Sequence, residues 1–112
     1  MRLLSQQEKD AWLAELRDPN NKQIVGKNFE SGIIAFGRDA IVAADCMCAV
    51  GCLIKAHHKL IPHETHPTTI VDHINTKEKP HCWRDIVDLN DKEKLTFLEI
   101  ADWVEKNVLV EA

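Results

Sequence analysis

The chain has no tyrosine, and aromatic residues make up only 5% of its 112 residues. Glycine-rich phosphate loops and nucleophile elbows are absent as well, so the sequence carries no motif of a nucleotide-binding or α/β-hydrolase site. Positive charge is not clustered: lysines are spread along the chain, and the formal net charge is −4. Because nucleic-acid binding rests largely on Lys and Arg contacts to phosphate, we expect no nucleic-acid partner.

No apolar run reaches the roughly 20 residues that a membrane-spanning helix needs, so we expect no membrane partner. The opening residues do not form a signal peptide, which favours a cytoplasmic protein. The chain contains four cysteines. Three of them, Cys46, Cys48 and Cys52, fall in one apolar stretch where they cannot all pair with distant partners. We interpret them, with Cys82, as reduced thiols that fill the core.

The hydrophobic content of 45% is enough for one domain, residues 1–112, to bury its own core. The stretch Ala40–Ala56 dominates the pattern, because Asp45 is its one polar residue between Ala40 and Ile54. A surface helix would show a polar stripe, so the pattern predicts a central helix that is packed on nearly all sides. Close packing at Gly51 would make Gly51→Leu destabilising, whereas we expect Gly51→Ala to be mild.

Capping boxes predict a helix on each side of this centre. Ser5 and Glu8 open a helix that runs to about Arg17, and Thr96 and Glu99 open one that runs from Phe97 to Asn107. The first helix has an apolar face and a charged face that we expect to lie largely outside; the faces are Trp12, Leu13 and Leu16 against Glu8, Lys9, Glu15 and Arg17. A short helix is predicted over His81–Leu89. The fold class is therefore a mainly α, compact helical domain.

Two segments leave alternatives open. Residues 22–36 contain short apolar runs between glycines, which fit either a small β-hairpin or an ordered loop on the central helix. Residues 60–79 are rich in Pro, His and Thr, so regular helix is excluded near Pro62 and Pro67. Within them, Ile70–Ile74 fits either one helical turn or a short strand, and the charged turn Asn75–Pro80 is the best candidate for a functional loop.

Five residues are candidates for a binding site: Asp45, His81, Trp83, Asn90 and Asp91. Asp45 is a charge inside an apolar run, so it reaches solvent, pairs with Arg38 or Arg84, or lines a pocket. Trp83 follows a loop and is placed to border a groove. Asn90 and Asp91 favour a turn between two helices, because their side chains bond to nearby backbone, and we expect this turn to anchor both helices to the core.

Histidines and cysteines do not follow a metal-site pattern. Paired C-x-x-C or H-x₃₋₅-H knuckles are typical of structural zinc, whereas here His63 and His66 flank a proline-rich turn. We interpret the loop histidines as solvated. A nucleophilic cysteine needs an electropositive, accessible site, and the apolar stretch around Cys48 is the opposite. We therefore assign no catalytic residue, no metal ligand and no cofactor.

Three short motifs resemble a small domain family that occurs in bacterial chromosomes, prophages and integron gene cassettes. They are the stretch 48–56 (CAVGCLIKA), which resembles a C-A-x-G-A-L-x-x-A helix; the Asn90-Asp91 turn with T-F-x-x-I-A-D-x-V-E at 96–105; and W-L-A-E-L-R at 12–17. Cys52 stands where the family usually has Ala, and residues 57–81 have no counterpart. The family has no assigned activity, so the resemblance implies architecture and a mobile genetic element, not chemistry.

These observations favour a non-enzymatic accessory or interaction protein of a mobile element, which acts by binding a protein partner or itself. The first alternative is a small-ligand binding protein or a small hydrolase-like enzyme with a pocket near Asp45, His81 and Asn90-Asp91. A metal or redox module built from Cys and His is the second. We expect a homodimer, because two-fold dimers are the commonest closed assembly, with an apolar patch near Ile33, Ile34 and Phe36 or along Val108–Val110.

Overall fold

The structure, a computed structural model, describes residues 2–30, 37–61 and 67–112. The fold is mainly α, as the sequence predicts, with one short parallel pair of strands. The elements in chain order are α1 (Gln6–Leu16), β1 (Lys22–Gln23), α2 (Arg38–Ala43), β2 (Cys46–Met47), α3 (Ala49–Leu60), a 3₁₀ helix (Pro67–His73), α4 (Trp83–Asp91) and α5 (Phe97–Asn107). The radius of gyration of the Cα atoms is 12.7 Å, close to the roughly 13 Å of a compact domain of this length.

Both capping boxes are confirmed. At the start of α1, Ser5 Oγ accepts from Glu8 N at 3.1 Å and the Glu8 carboxylate accepts from Ser5 N at 2.9 Å. At the start of α5, Thr96 and Glu99 form the same pair of bonds at 3.2 and 2.9 Å. These bonds satisfy amide groups that have no partner within the helix, and they fix where each helix begins. The bounds of α5 are the predicted ones.

The prediction of one continuous helix over Ala40–Ala56 is wrong. Helix α2 ends at Ala43, Ala44 is extended, and α3 begins only at Ala49. Between them β2 pairs in parallel with β1, where Lys22 N donates to Asp45 O at 2.6 Å and Ile24 N donates to Met47 O at 2.9 Å. An apolar run cannot by itself distinguish buried helix from buried strand. Here the pairing with β1 gives the backbone its hydrogen bonds and turns the Asp45 side chain out to solvent.

Helix α3 is nonetheless the buried centre of the fold. All residues from Ala49 to His58 are buried, and α1, α2, the 3₁₀ helix and α4 all pack on α3. Trp12 of α1 is fully buried, and its indole N–H donates to Ala49 O at 2.9 Å. The tryptophan therefore contributes apolar area to the core and also pairs a carbonyl in the first turn of α3.

The two open alternatives have different outcomes. The first strand of the suggested hairpin, β1, pairs with β2 instead, and Phe29 forms an isolated antiparallel bridge with Met47; residues 31–36 of that hairpin lie outside the described residues. The segment that contains Ile70 is helical and not a strand, since it forms the 3₁₀ helix.

Helix α4 spans Trp83–Asp91, so it begins and ends two residues later than the predicted helix over His81–Leu89. Asn90 and Asp91 therefore lie in its last turn and do not form the predicted turn. The chain reverses in the next residues, where Lys94 has a φ of 54° and Leu95 N donates to Leu89 O at 2.9 Å. Asn and Asp are favourable in turns but are also tolerated at helix ends, so the sequence could not distinguish the two positions.

The C-terminal segment after α5 is paired on both sides. Val110 forms a parallel bridge with Leu4, and Val108 forms an antiparallel bridge with Thr76. Glu111 N donates to Leu4 O and Leu109 N donates to Asn75 O, each at 2.9 Å. These bonds tie the N-terminal residues, the loop before α4 and the residues after α5 into one layer.

Within the described residues, no helix is both long enough and apolar enough to cross a bilayer.

Gly51 marks the closest approach to α3. A Cβ atom built on Gly51 would lie 2.3 Å from Asn28 O and 2.9 Å from Met47 Cβ. Asn28 O also accepts from Cys48 N at 3.0 Å, which holds this backbone segment against the start of α3. A side chain at residue 51 would therefore collide with backbone that cannot easily move, and our expectation of a mild Gly51→Ala change is overturned.

We predict that Gly51→Ala lowers the free energy of unfolding by about 1–3 kcal/mol, the usual cost of overpacking. Helix propensity alone would give the opposite sign, a gain of about 1 kcal/mol. Urea unfolding followed by circular dichroism measures the difference. Ala14→Gly, at an exposed position of α1, is the control and should cost about 1 kcal/mol through propensity. A Gly51→Ala protein as stable as the wild type would contradict the close packing of residues 28 and 51.

Candidate functional site

The five candidate residues are not brought to one place. Asp45 is exposed in the link between α2 and β2, and its backbone, not its carboxylate, carries the bond to Lys22. His81 is exposed just before α4 with a φ of 48°. Its Nδ1 lies 2.8 Å from Asp72 O, and its backbone N donates to Asn75 Oδ1 at 3.0 Å. Both contacts shape the turn into α4.

Asn90 is fully occupied by hydrogen bonds inside the protein. Its Oδ1 accepts from Ala49 N at 3.1 Å and from Gln23 Nε2 at 2.8 Å. Its Nδ2 donates to Ile24 O at 2.8 Å and to Asp91 Oδ1 at 2.7 Å. The side chain is buried, with 1% exposure. Asn90 therefore joins α4 to the first turn of α3 and to the strand segment 23–24, which is a structural role and leaves no polar atom for a ligand.

Trp83 and Asp91 do share a surface groove. It has a volume of about 260 Å³ and is lined by Gly26, Lys27, Asn28, Cys48, Trp83, Val87 and Asp91. The Arg84 guanidinium lies 5.3 Å from the centre of the Trp83 ring, within range of a cation–π contact. The groove is smaller than the roughly 300–1,000 Å³ of small-molecule sites. The other three candidates, Asp45, His81 and Asn90, do not line it.

All four cysteines lie within the described residues as free thiols, and Cys48, Cys52 and Cys82 are buried. Burial raises the pKa of Cys48 despite bonds from the Gly51 and Val50 amides, and it raises the pKa of Cys52 well above its ordinary value. A thiol that stays protonated is neither a good nucleophile nor a metal ligand. In the described residues, moreover, no three His, Cys, Asp or Glu side chains are grouped so that they could hold a metal ion.

Charged side chains of α1 that we expected outside are buried. Glu8, Lys9 and Glu15 are 4%, 8% and 6% exposed. The Lys9 ammonium donates to Glu105 O at 3.0 Å and to Val108 O at 2.7 Å, which pairs carbonyls at the end of α5. Burial lowers the pKa of Lys9. These charges have a structural role, since each one supplies a bond to a neighbouring element.

Glu15 extends this network toward the C-terminal end of α1. It accepts from Asn21 Nδ2 at 3.0 Å, lies 3.8 Å from Lys55 Nζ, and forms a short ion pair with Lys59. Lys55 Nζ also donates to Ala44 O at 2.7 Å, where the chain leaves α2. The spacing of the lysines is a sequence signal for this pairing: Lys55 and Lys59 are four residues apart on α3, so they lie on one helix face and can both reach Glu15.

A second groove lies where the residues after α5 meet the loop before α4. It has a volume of about 380 Å³ and is lined by Leu3, Asn75, Thr76, Lys77, Glu78, Lys79, Pro80 and Leu109. Leu109 is 37% exposed although both neighbours, Val108 and Val110, take part in bridges. We call this the C-terminal groove. It contains the Asn75–Pro80 turn that the sequence singled out, together with part of the predicted Val108–Val110 patch; the patch near Ile33 lies outside the described residues.

Comparison with models of known families, with curated proteins and with solved structures finds no match to this chain in any of the three.

We predict that Asn90→Ala lowers the free energy of unfolding by about 2–4 kcal/mol. The buried Ala49 N loses its partner at a cost of about 1–3 kcal/mol, and the partly buried Ile24 O loses one at about 1 kcal/mol. Asp91→Asn is the matched control: it keeps an oxygen that can accept from Asn90 Nδ2 and should cost less than about 1 kcal/mol. Thermal and urea unfolding measure both variants. An Asn90→Ala protein with an unchanged midpoint would show that the side chain is not a structural link and would point to a binding role.

Proposed function

We propose that this protein is a non-enzymatic interaction protein. It acts by binding another protein chain, and the partner that we propose first is a second copy of itself. The observation that carries the proposal is the C-terminal groove, where Leu3 and the exposed Leu109 lie beside a charged loop. The polar residues that could have served chemistry support it indirectly. Asn90, Lys9 and Glu15 are engaged in bonds between elements, and the buried thiols are held in the protonated form.

We infer a two-fold contact surface at this groove. A two-fold axis places the same patch of each copy against the other, so the patch must complement itself. Leu109 offers an apolar side chain, and Leu3 offers a second one in the same groove. The rim carries both signs of charge, because Lys77, Glu78 and Lys79 are consecutive and exposed. Two copies can therefore pair the lysine of one rim with the glutamate of the other.

The charges at the rim are suited to specificity more than to affinity. Exposed ion pairs contribute only about 0–1 kcal/mol each. Burying a fully exposed apolar side chain contributes about 1.5–3 kcal/mol, and Leu109, which is 37% exposed, contributes a part of that. We therefore assign most of the binding free energy to Leu109 and Leu3, and the choice of partner to Lys77 and Glu78. Lys79 is already paired with Asp85 at 3.1 Å, so it contributes less.

The groove beside Trp83 is lined by two of the five candidate binding residues, Trp83 and Asp91. It lacks three of the residues that such a pocket was expected to use, Asp45, His81 and Asn90, and its volume is small. We therefore do not propose a ligand-binding or hydrolytic activity. An origin in a mobile genetic element, as an integron-cassette or prophage accessory protein, remains a proposal that rests on the motif resemblance alone.

The first prediction from this proposal is a dimer. Light scattering at tens of micromolar should give twice the chain mass of 12.8 kDa, and Leu109→Glu should shift the mass toward one copy, since a buried unpaired carboxylate is costly. Leu98→Glu is the matched control, because Leu98 is 62% exposed on α5 and lies outside the C-terminal groove. A monomeric wild type, or equal dissociation by both variants, would contradict the proposal.

A charge exchange tests the rim separately. Lys77→Glu places two acidic residues together and should weaken association several-fold at low salt, because like charges then face each other. The double variant Lys77→Glu with Glu78→Lys restores both signs and should recover most of the affinity. Sedimentation at two salt concentrations measures this. Failure of the double variant to recover would mean that the two rims do not face each other.

A further inference from the structure

Several ionisable side chains meet where the N-terminal residues, α3 and the 3₁₀ helix come together. Glu8 is buried and is bonded to Arg2 at 3.0 Å and to Ser5 N at 2.9 Å. His57 of α3, with a side-chain exposure of 3%, has its Nδ1 3.5 Å from Glu8 Oε2. His73 ends the 3₁₀ helix and is half-buried, and its Nδ1 is buried with no hydrogen-bond partner among the described residues.

Protonation of the His73 imidazole is unfavourable in this position. Protonation would give Nδ1 an N–H group with no acceptor in a position removed from water, which is costly. Arg2 and His57 oppose the added positive charge, whereas Glu8 and Asp72 favour it. The Glu8 carboxylate is at the same time bonded to Arg2 and to Ser5 N. Burial has the largest effect and the charge of Arg2 the next largest, and together they lower the pKa of His73 below its ordinary value of 6.5.

We propose that this junction is an acid-sensitive latch that releases the 3₁₀ helix, Pro67–His73, from α3 when His73 takes up a proton. The released segment binds the proton more tightly than the docked one, so acidification below about pH 6.5 favours release by linkage. Docking buries Ile70, which is 1% exposed, and release uncovers apolar surface on both Ile70 and α3. The latch therefore couples a modest fall in pH to exposure of part of the core.

Glu8 is not the trigger. Although burial raises the pKa of Glu8, the bonds from Ser5 and the charge of Arg2 outweigh burial and leave the pKa below the ordinary value of 4.5. The carboxylate therefore stays ionised over the range in which His73 titrates. His81 also contacts the 3₁₀ helix, through Asp72 O. An N–H at its Nδ1 donates that bond in both the neutral and the protonated ring, so protonation of His81 does not break the contact.

Hydrogen exchange at pH 7.5 and 5.5, corrected for intrinsic chemical rates, tests the latch in the full chain. Protection of the peptide that covers Thr68–His73 should fall at pH 5.5 by up to about tenfold per pH unit, the limit for one proton, while α5 stays protected. His73→Gln, which cannot titrate, should remove the pH dependence, and His81→Gln should retain it. Equal loss of protection in α5 would mean general acid unfolding and would overturn the proposal.

Two further results would overturn it as well. One is an unchanged pH dependence in His73→Gln, which would place the trigger on another group. The other comes from the wild type alone, and it decides the matter even if the His73→Gln protein does not fold. An imidazole titration by NMR should give His73 a pKa below its ordinary value, and a value at or above 6.5 would contradict the latch.

Discussion

Burial of α3 on every side is the constraint on which the rest of this structure depends. A helix without a solvent face must receive neighbours at close range, and Gly51 allows Asn28 to approach until even a methyl group would collide. It must also find partners for the groups at its ends, because water cannot reach them. Asn90 supplies one to Ala49 N, and the Trp12 indole N–H adds a further bond from α1 to Ala49 O. The elements around α3 are thus held by specific bonds as well as by apolar contact.

The same constraint explains the buried charges. Lys55 lies on α3 beneath its neighbours, so its ammonium needs internal acceptors, and Asn21, Ala44 and Glu15 provide them. Removing one member of such a group would leave a buried charge without a partner, at a cost of several kcal/mol. The intact ion pair nevertheless adds little net stability. We infer that these charges fix which face of α1 meets α3. Polar groups used in this way are not available for catalysis or ligand binding.

Local signals in the sequence predicted what depends on local chemistry. The capping boxes at Ser5 and Thr96 indicated the starts of α1 and α5, since a cap involves residues three apart. The helix break at Ala44 depends on strand pairing with the segment at Lys22, which is more than twenty residues away. The spacing of apolar residues around Ala44 therefore does not indicate the break. For the candidate site, the sequence indicated that Asn90 matters, but three of its four bonding partners, Gln23, Ile24 and Ala49, lie on segments that only the fold brings to it.

If burial of α3 holds the fold together, α3 should be the last element to lose its structure. Native-state hydrogen exchange in increasing denaturant measures this directly, because it gives a free energy of opening for each amide. We predict that the amides of Leu53 and Ile54, both fully buried, exchange only through global unfolding, with the same free energy as the whole chain. If they instead exchange by a local opening that costs clearly less than opening of α5, α3 is not the element that holds the fold together.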